Sequence, residues 1–274
     1  MIQKFTSALL AIIFLFSATG CKKWRDNREP LTSEAHTLAE ASFNDIIRYS
    51  LLATSPVGQL LTDSCFSIST SGSAFPQTVT VDFGNSGCVS LFGETMQGKI
   101  IITLTDSMHH VNAVASITTE NLYVSKYLTE GTLAITCRGT NTSGNSEYSA
   151  EVLNGVITSQ AAKTGEDYTV SWACNYLFEL IEVNNELLMV DDLYRISGSA
   201  AGVNREGRAF TAEITTPLKK YFNCRWPGSG IANIAPDDLD VRDLDYGDCE
   251  LNTNCCDNVA KEIVKWPDQT VRMK

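Results

Sequence analysis

Two sets of residues in this 274-residue chain have the types and spacing that chemistry requires: a run of acids near the C-terminus and nine cysteines. In "PDDLDVRDLDYGDCELNTNCCDN", Asp237, Asp238, Asp240, Asp243, Asp245, Asp248, Glu250 and Asp257 accompany Arg242 as the single base. Oxygen donors at that density suit calcium, and Asp243, Asp245 and Asp248 form the set that would hold it. The EF-hand frame does not fit. Starting at Asp243, Gly247 falls at the third ligand place, Asp248 replaces the turn glycine and Asn254 stands where the bidentate Glu belongs. A solvated acidic loop pinned by disulfides is the competing reading.

The catalytic inventory is thin. The chain has no Gly-x-Ser-x-Gly elbow, no His-Glu-x-x-His helix and no phosphate loop, and Gly228-Ser229-Gly230 reads as a turn. Of the three histidines, His36 is expected at the surface and His109-His110 in an exposed turn between strands. A carboxylate pair for glycan hydrolysis stays open, because 32 acids are present and their separations are invisible in sequence. Trp172, Tyr168, Trp226 and Tyr221 carry rings that stack on sugars, but β-rich cores hold such rings too, and core packing is the preferred reading.

Nine cysteines cannot all pair, but setting Cys21 aside leaves eight. Proximity along the chain suggests Cys65 with Cys88, Cys137 with Cys174, and Cys224 with one of Cys249, Cys255 or Cys256, in an oxidising compartment. Zinc is disfavoured, because no Cys-x-x-Cys pair occurs and adjacent Cys255 and Cys256 point apart in extended chain.

Cys21 has its own context. Lys4 precedes the apolar run Ala8 to Phe16, and Ser17, Ala18, Thr19 and Gly20 follow it, the layout of a secretory signal spanning 1–20. The run is too short to cross a bilayer, which needs about 20 apolar residues. Ala18-Thr19-Gly20-Cys21 resembles the lipobox of bacterial lipoproteins, with Ala18 where leucine is usual. The resemblance implies cleavage before Cys21 and a diacylglycerol on its sulfur, so that acyl chains, at about 0.8 kcal/mol per buried methylene, anchor the protein to a membrane. The alternative is an ordinary signal peptide whose Cys21 joins a disulfide.

Loss of Lys4 takes the formal charge from −11 to −12. No Lys/Arg stripe is present, which excludes nucleic acid as a partner. The one basic cluster, Lys22, Lys23 and Arg25, lies in a polar tether over 21–30, able to rest against anionic headgroups or simply to be solvated.

The remaining 31–274 reads as one β-rich domain. Thr32 or Ser33 can cap a helix over 32–54, whose Ala35, Ala39, Phe43, Ile47 and Leu51 make one apolar stripe to pack on a sheet. From residue 76 the period becomes two: Val79, Val81 and Phe83 share a face in "TVTVDFG", "GKIIITLTD" reads as a buried strand, and β-rich runs continue to "LYRISGS". Asn154-Gly155 is the strongest hairpin signal. Two similar stretches place Tyr148, Ala150 and Val152, and again Phe210, Ala212 and Ile214, on one face, with Glu151 and Glu213 on the other. "EIVKWPDQTVRMK" reads as a closing hairpin. The expected fold is mainly β, an extended antiparallel meander, either a sandwich or an open curved sheet, with one N-terminal helix.

The lipobox, "TVTVDFGNSGC" before "GKIIITL", "YRISGSAAGVNREGRAFTAEITTPL", "DYGDC" and "CCDN" together resemble uncharacterised lipoproteins of Bacteroidota-type bacteria. That resemblance implies location and fold without an activity. Lys22, Lys23 and Trp24 after the cysteine, where surface-exported members carry acids, favour the outer membrane facing the periplasm over the cell surface. Asp106-Ser107-Met108 resembles the O-glycosylation acceptor of the same group, at Ser107. The leading expectation is a lipid-anchored envelope protein with a non-catalytic binding or structural role, no cofactor unless calcium, and a protein or glycan partner. An envelope glycan hydrolase and a carrier of hydrophobic cargo are the alternatives.

Overall fold

The computed structural model describes residues 29–55, 65–183, 192–248, 256–264 and 268–273. One long helix, α1 (Leu31–Thr54), is followed by β1 (Ser67–Ser71), β2 (Gln77–Asp82), β3 (Cys88–Val89), β4 (Thr95–Leu104), β5 (Val114–Val124), β6 (Tyr127–Thr140) and β7 (Ser146–Ser159). A single turn of helix, α2 (Ala161–Thr164), leads into β8 (Tyr168–Glu182), β9 (Leu193–Val203), β10 (Ala209–Tyr221), β11 (Ser229–Pro236), β12 (Arg242–Asp245), β13 (Val259–Ile263) and β14 (Gln269–Arg272). All the strands belong to one antiparallel sheet in chain order, except that β3 lies beside β4 off the main path. The sheet is open, with β1 and β14 as its edges. The protein is therefore mainly β, with an N-terminal helix.

Period-two patterning makes the sheet one-sided. Val79 and Val81 of β2, Ile100 and Ile102 of β4, Leu133 and Ile135 of β6 and Ala150 and Val152 of β7 are all buried. "GKIIITL" is covered on one face only, since Thr103 is exposed and Ile101 half-buried. The paired motifs behave as their alternation predicts: Ala150, Val152, Phe210 and Ala212 point inward, and Glu151 and Glu213 outward.

The inward face has one helix to cover, and it curls around it. Helix α1 touches β2, β4 to β9, β11 and β14, and 21 of its 24 residues are buried. A helix laid on a sheet by one stripe is thus corrected to a helix enclosed on all sides, with Thr32, Glu40, Asp45 and Arg48 as buried as Phe43. The expected cap also shifts. Pro30 takes the N-cap position, and Thr32 sits in the first turn, donating to Glu29 Oε2 at 3.1 Å and accepting from Asn204 Nδ2 at 3.0 Å.

Asn154-Gly155 does not turn the chain. β7 runs straight through it with a bulge between Val152 and Gly155, Asn154 taking φ 51°. The reason lies in the packing of Phe43. A Cβ on Gly155 would stand 2.5 Å from the Trp172 carbonyl oxygen and 2.7 Å from the Phe43 ring. Phe43 stacks on Trp172 at 5.6 Å between centroids. The pair thus marks a place where a strand must let a helix side chain in. The closing hairpin is present as β13 paired with β14, and its Pro267 lies outside the described residues.

Gly155→Ala should lower the free energy of unfolding in urea by about 1–3 kcal/mol through overpacking. Leu153→Ala, at an exposed position of the same strand, should change it by no more than about 0.5 kcal/mol.

Candidate functional site

Three buried polar groups run along α1. At its start Ser33 donates to Glu262, whose Oε1 lies 3.5 Å from Arg242 Nη1. Arg242 in turn donates to the Glu29 carbonyl at 2.6 Å. Burial pushes the Glu262 carboxyl up, against the opposing pull of Ser33 and Arg242. One turn on, His36 Nδ1 accepts from Trp172 Nε1 at 3.3 Å, which leaves the ring proton on Nε2. The expected surface position of His36 is corrected: it is fully buried, and burial lowers its pKa despite nearby Glu40. Glu40 accepts from Tyr176 at 3.1 Å and Tyr246 at 2.8 Å, and burial, then Glu40, holds both phenols protonated.

Toward the end of α1, Arg48 pairs with Asp45, lies 3.4 Å from Glu94 and donates to the carbonyls of Phe222, Asn223 and Cys224 at 3.2, 3.2 and 3.3 Å. Arg225 completes the group, 3.7 Å from Asp45 and 3.8 Å from Glu94. Lys220 lines an apolar cavity of about 20 Å³ beside Ile47, Phe178 and Phe222. Burial, then Arg48, lowers its pKa to about 7, against the pull of Asp45, Glu40 and Glu94. Arg48, with its carboxylate and carbonyl partners, fastens the helix to its wall. A further cavity against α1, lined by Leu38 and Val170, holds about 10 Å³.

An open groove lies at the rim of the curled sheet, with a volume of about 860 Å³. The β5–β6 turn brings Lys126 and Tyr127 to it, the start of β8 brings Glu166 and Tyr168, the β9–β10 turn brings Arg205, and the β10–β11 loop brings Arg225 and Trp226. Each ring has a cation over it: Lys126 at 5.8 Å from Tyr127, Arg205 at 5.5 Å from Tyr168 and Arg225 at 5.3 Å from Trp226. Arg205 also pairs with Glu166 at 3.1 Å. Burial, then a hydrogen bond with Tyr168, raises the Tyr127 phenol. Arg225 donates from Nη1 to Ser125 Oγ at 3.0 Å, while its Nη2 and Trp226 Nε1 are buried without a hydrogen-bond partner.

The cysteines divide. Cys65–Cys88 and Cys224–Cys256 are bonded, with Cα atoms 5.3 and 5.0 Å apart; the second braces the groove wall next to Arg225. Cys137 and Cys174 are free and buried, which corrects the expected bridge. β7 lies between them, Cys137 opposite Tyr148 and Cys174 opposite Val152. Two strand spacings of about 4.8 Å already exceed the reach of a disulfide. Cys21, Cys249 and Cys255 lie outside the described residues.

The acidic segment is not simply a loop, since Arg242 to Asp245 form β12 with Arg242 and Leu244 buried. Asp243 accepts from Asn233 at 2.9 Å, Asp245 caps the Gly247 amide at 2.9 Å and Asp248 is exposed. No group of three or more His, Cys, Asp or Glu side chains suited to a metal ion occurs among the described residues. His109 and His110 are exposed in the β4–β5 turn, His110 at 3.0 Å from Asp106. Ser107 is half-buried in the same turn, its amide donating to Asp106 Oδ1 at 2.7 Å.

Of the four rings considered for sugar stacking, Trp172 is core, as preferred, Tyr168 and Trp226 pack against the core and also line the groove, and Tyr221 is half-buried at the end of β10 away from it. Lys126, Tyr127, Arg205 and Arg225 carried no signal in the sequence. Compared with known proteins, the chain matches no protein-family model, no curated protein and no solved structure.

Lys220→Met should stabilise the fold by about 1–4 kcal/mol in denaturant titrations at pH 7 and below. A folded pKa near 7, below the ordinary lysine value, means that the cost of charging Lys220 is fully present below pH 7 and disappears as pH rises toward the unfolded value. The gain from methionine should therefore shrink between pH 7 and about 10. An equal gain across that range would contradict the lowered folded pKa of Lys220.

Proposed function

We propose that this chain is a lipid-anchored component of the cell envelope with a non-catalytic binding or structural role. The observation that carries the reading is the cysteine behind the apolar run, Ala18-Thr19-Gly20-Cys21, which reads as an acylation site. Two disulfides fit an exported protein. Binding is supported over carriage of hydrophobic cargo because α1 is buried inside the curled sheet and a large concavity at the rim is an open, polar-edged groove. Lys22 and Lys23 after the anchor favour the outer membrane facing the periplasm. The membrane is then one partner, through the lipid on Cys21, and a glycan or protein at the groove is the other.

The test is intact mass spectrometry of protein purified from its own membranes, beside a Cys21→Ala variant, with peptide mapping under non-reducing conditions. Acyl mass at Cys21, its loss in the variant, linked 65–88 and 224–256 peptides and alkylatable Cys137 and Cys174 are the expected results. An unmodified Cys21 in the native protein would remove the anchor and with it the envelope assignment.

A further inference from the structure

We propose that the rim groove is a binding site for an acidic oligosaccharide, one whose sugar rings bear carboxylates. This rests on the binding reading above and specifies its ligand. Two partly open aromatic rings in one groove, Tyr168 and Trp226, and the cations Lys126, Arg205 and Arg225 that line it with them, offer the two surfaces such a ligand needs: flat apolar faces for the C–H side of a sugar ring, and positive charge for its anionic edge. Tyr168 and Trp226 are only half-buried, so part of their ring surface is open. Serine, threonine and asparagine side chains at Ser125, Thr164 and Asn258 line the same groove and suit sugar hydroxyls. Its volume, about 860 Å³, lies in the range of ligand-binding clefts.

The charge points to an anion. The protein carries a net −11, which repels anions from most of its surface, yet this groove gathers three cations around one lining carboxylate. Arg205 is paired with Glu166, and Arg225 is balanced by Asp45 and Glu94 behind the wall. Lys126 is exposed and has no carboxylate partner among the described residues, so it is the charge a ligand carboxylate meets. Arg225, 7% exposed, holds Nη2 without a partner, and Trp226 holds Nε1 likewise. A buried donor without an acceptor is destabilising. Both side chains line the groove, so these two unmet donors lie in its wall. Cys224–Cys256 fixes the loop from which they project.

The experiment is calorimetric titration of the full, membrane-purified protein in detergent with tetragalacturonate and with its methyl ester, which keeps the sugar backbone and loses the charge. The acid should bind about tenfold or more tightly than the ester, and its affinity should fall with added salt. Lys126→Gln should weaken the acid several-fold and leave the ester unchanged. Tyr168→Ala should weaken both, with an unchanged melting temperature showing that the fold persists. Equal affinities for acid and ester, no binding of either, or unchanged binding in both variants would overturn the proposal. Acyl mass at Cys21 is read separately, so failure of this site and failure of the envelope reading are distinguishable.

Discussion

A helix with polar residues on every side has been placed inside a sheet, and Ser33, His36, Glu40 and Arg48 find partners on the wall, while Ser42 Oγ and Asn44 Nδ2 are buried without one. That constraint organises the molecule. An unpaired buried polar group costs about as much as one or two good contacts return, so the partners fix where α1 sits and how it is rotated. Glu40 sets the rotation by accepting from β8 through Tyr176 and from the segment after β12 through Tyr246. Arg48 sets the depth by reaching three successive carbonyls after β10. Arg242 and Glu262 bring the last strands onto the first turn of the helix. Residues far apart in the chain are thereby gathered around one element, and a sheet whose edges do not pair is held in a curl.

The same constraint locates any ligand chemistry. With α1 filling the interior, the inner face of the sheet is spent on packing and on helix partners, and one open concavity lies at the rim. There the turns of β5–β6 and β9–β10 meet the β10–β11 loop, which one disulfide holds in place. Arg225 belongs to both regions: it closes the charge group beneath the groove with Asp45 and Glu94, and it lies over Trp226 in the groove wall. The site and the core are built from one set of charges.

Much of this fold was legible because its determinants are local. Period-two alternation located most of the strands and their inward faces, and short sequence separation found Cys65–Cys88. What misled were residues whose role is set by a distant partner. His36 looked like a surface histidine because nothing near it in sequence reveals the indole of Trp172. Asn154-Gly155 carries a turn signature, but the glycine is there to admit Phe43 from the helix. Cys137 and Cys174 are the nearest pair along the chain in that region, yet the strand order puts β7 between them. The groove was half visible: Tyr168 and Trp226 stood out as rings, while the cations over them come from turns that only the curl of the sheet brings together.

Native-state hydrogen exchange of α1 is the most direct test of the enclosed helix. If α1 is the core that holds the curl, amides from about residue 38 to 52 exchange only through global unfolding, with the same free energy of opening as the central strands β6 to β8. If those amides instead exchange several kcal/mol more easily while β6 to β8 stay protected, α1 is a removable plug, and the sheet keeps its shape without it.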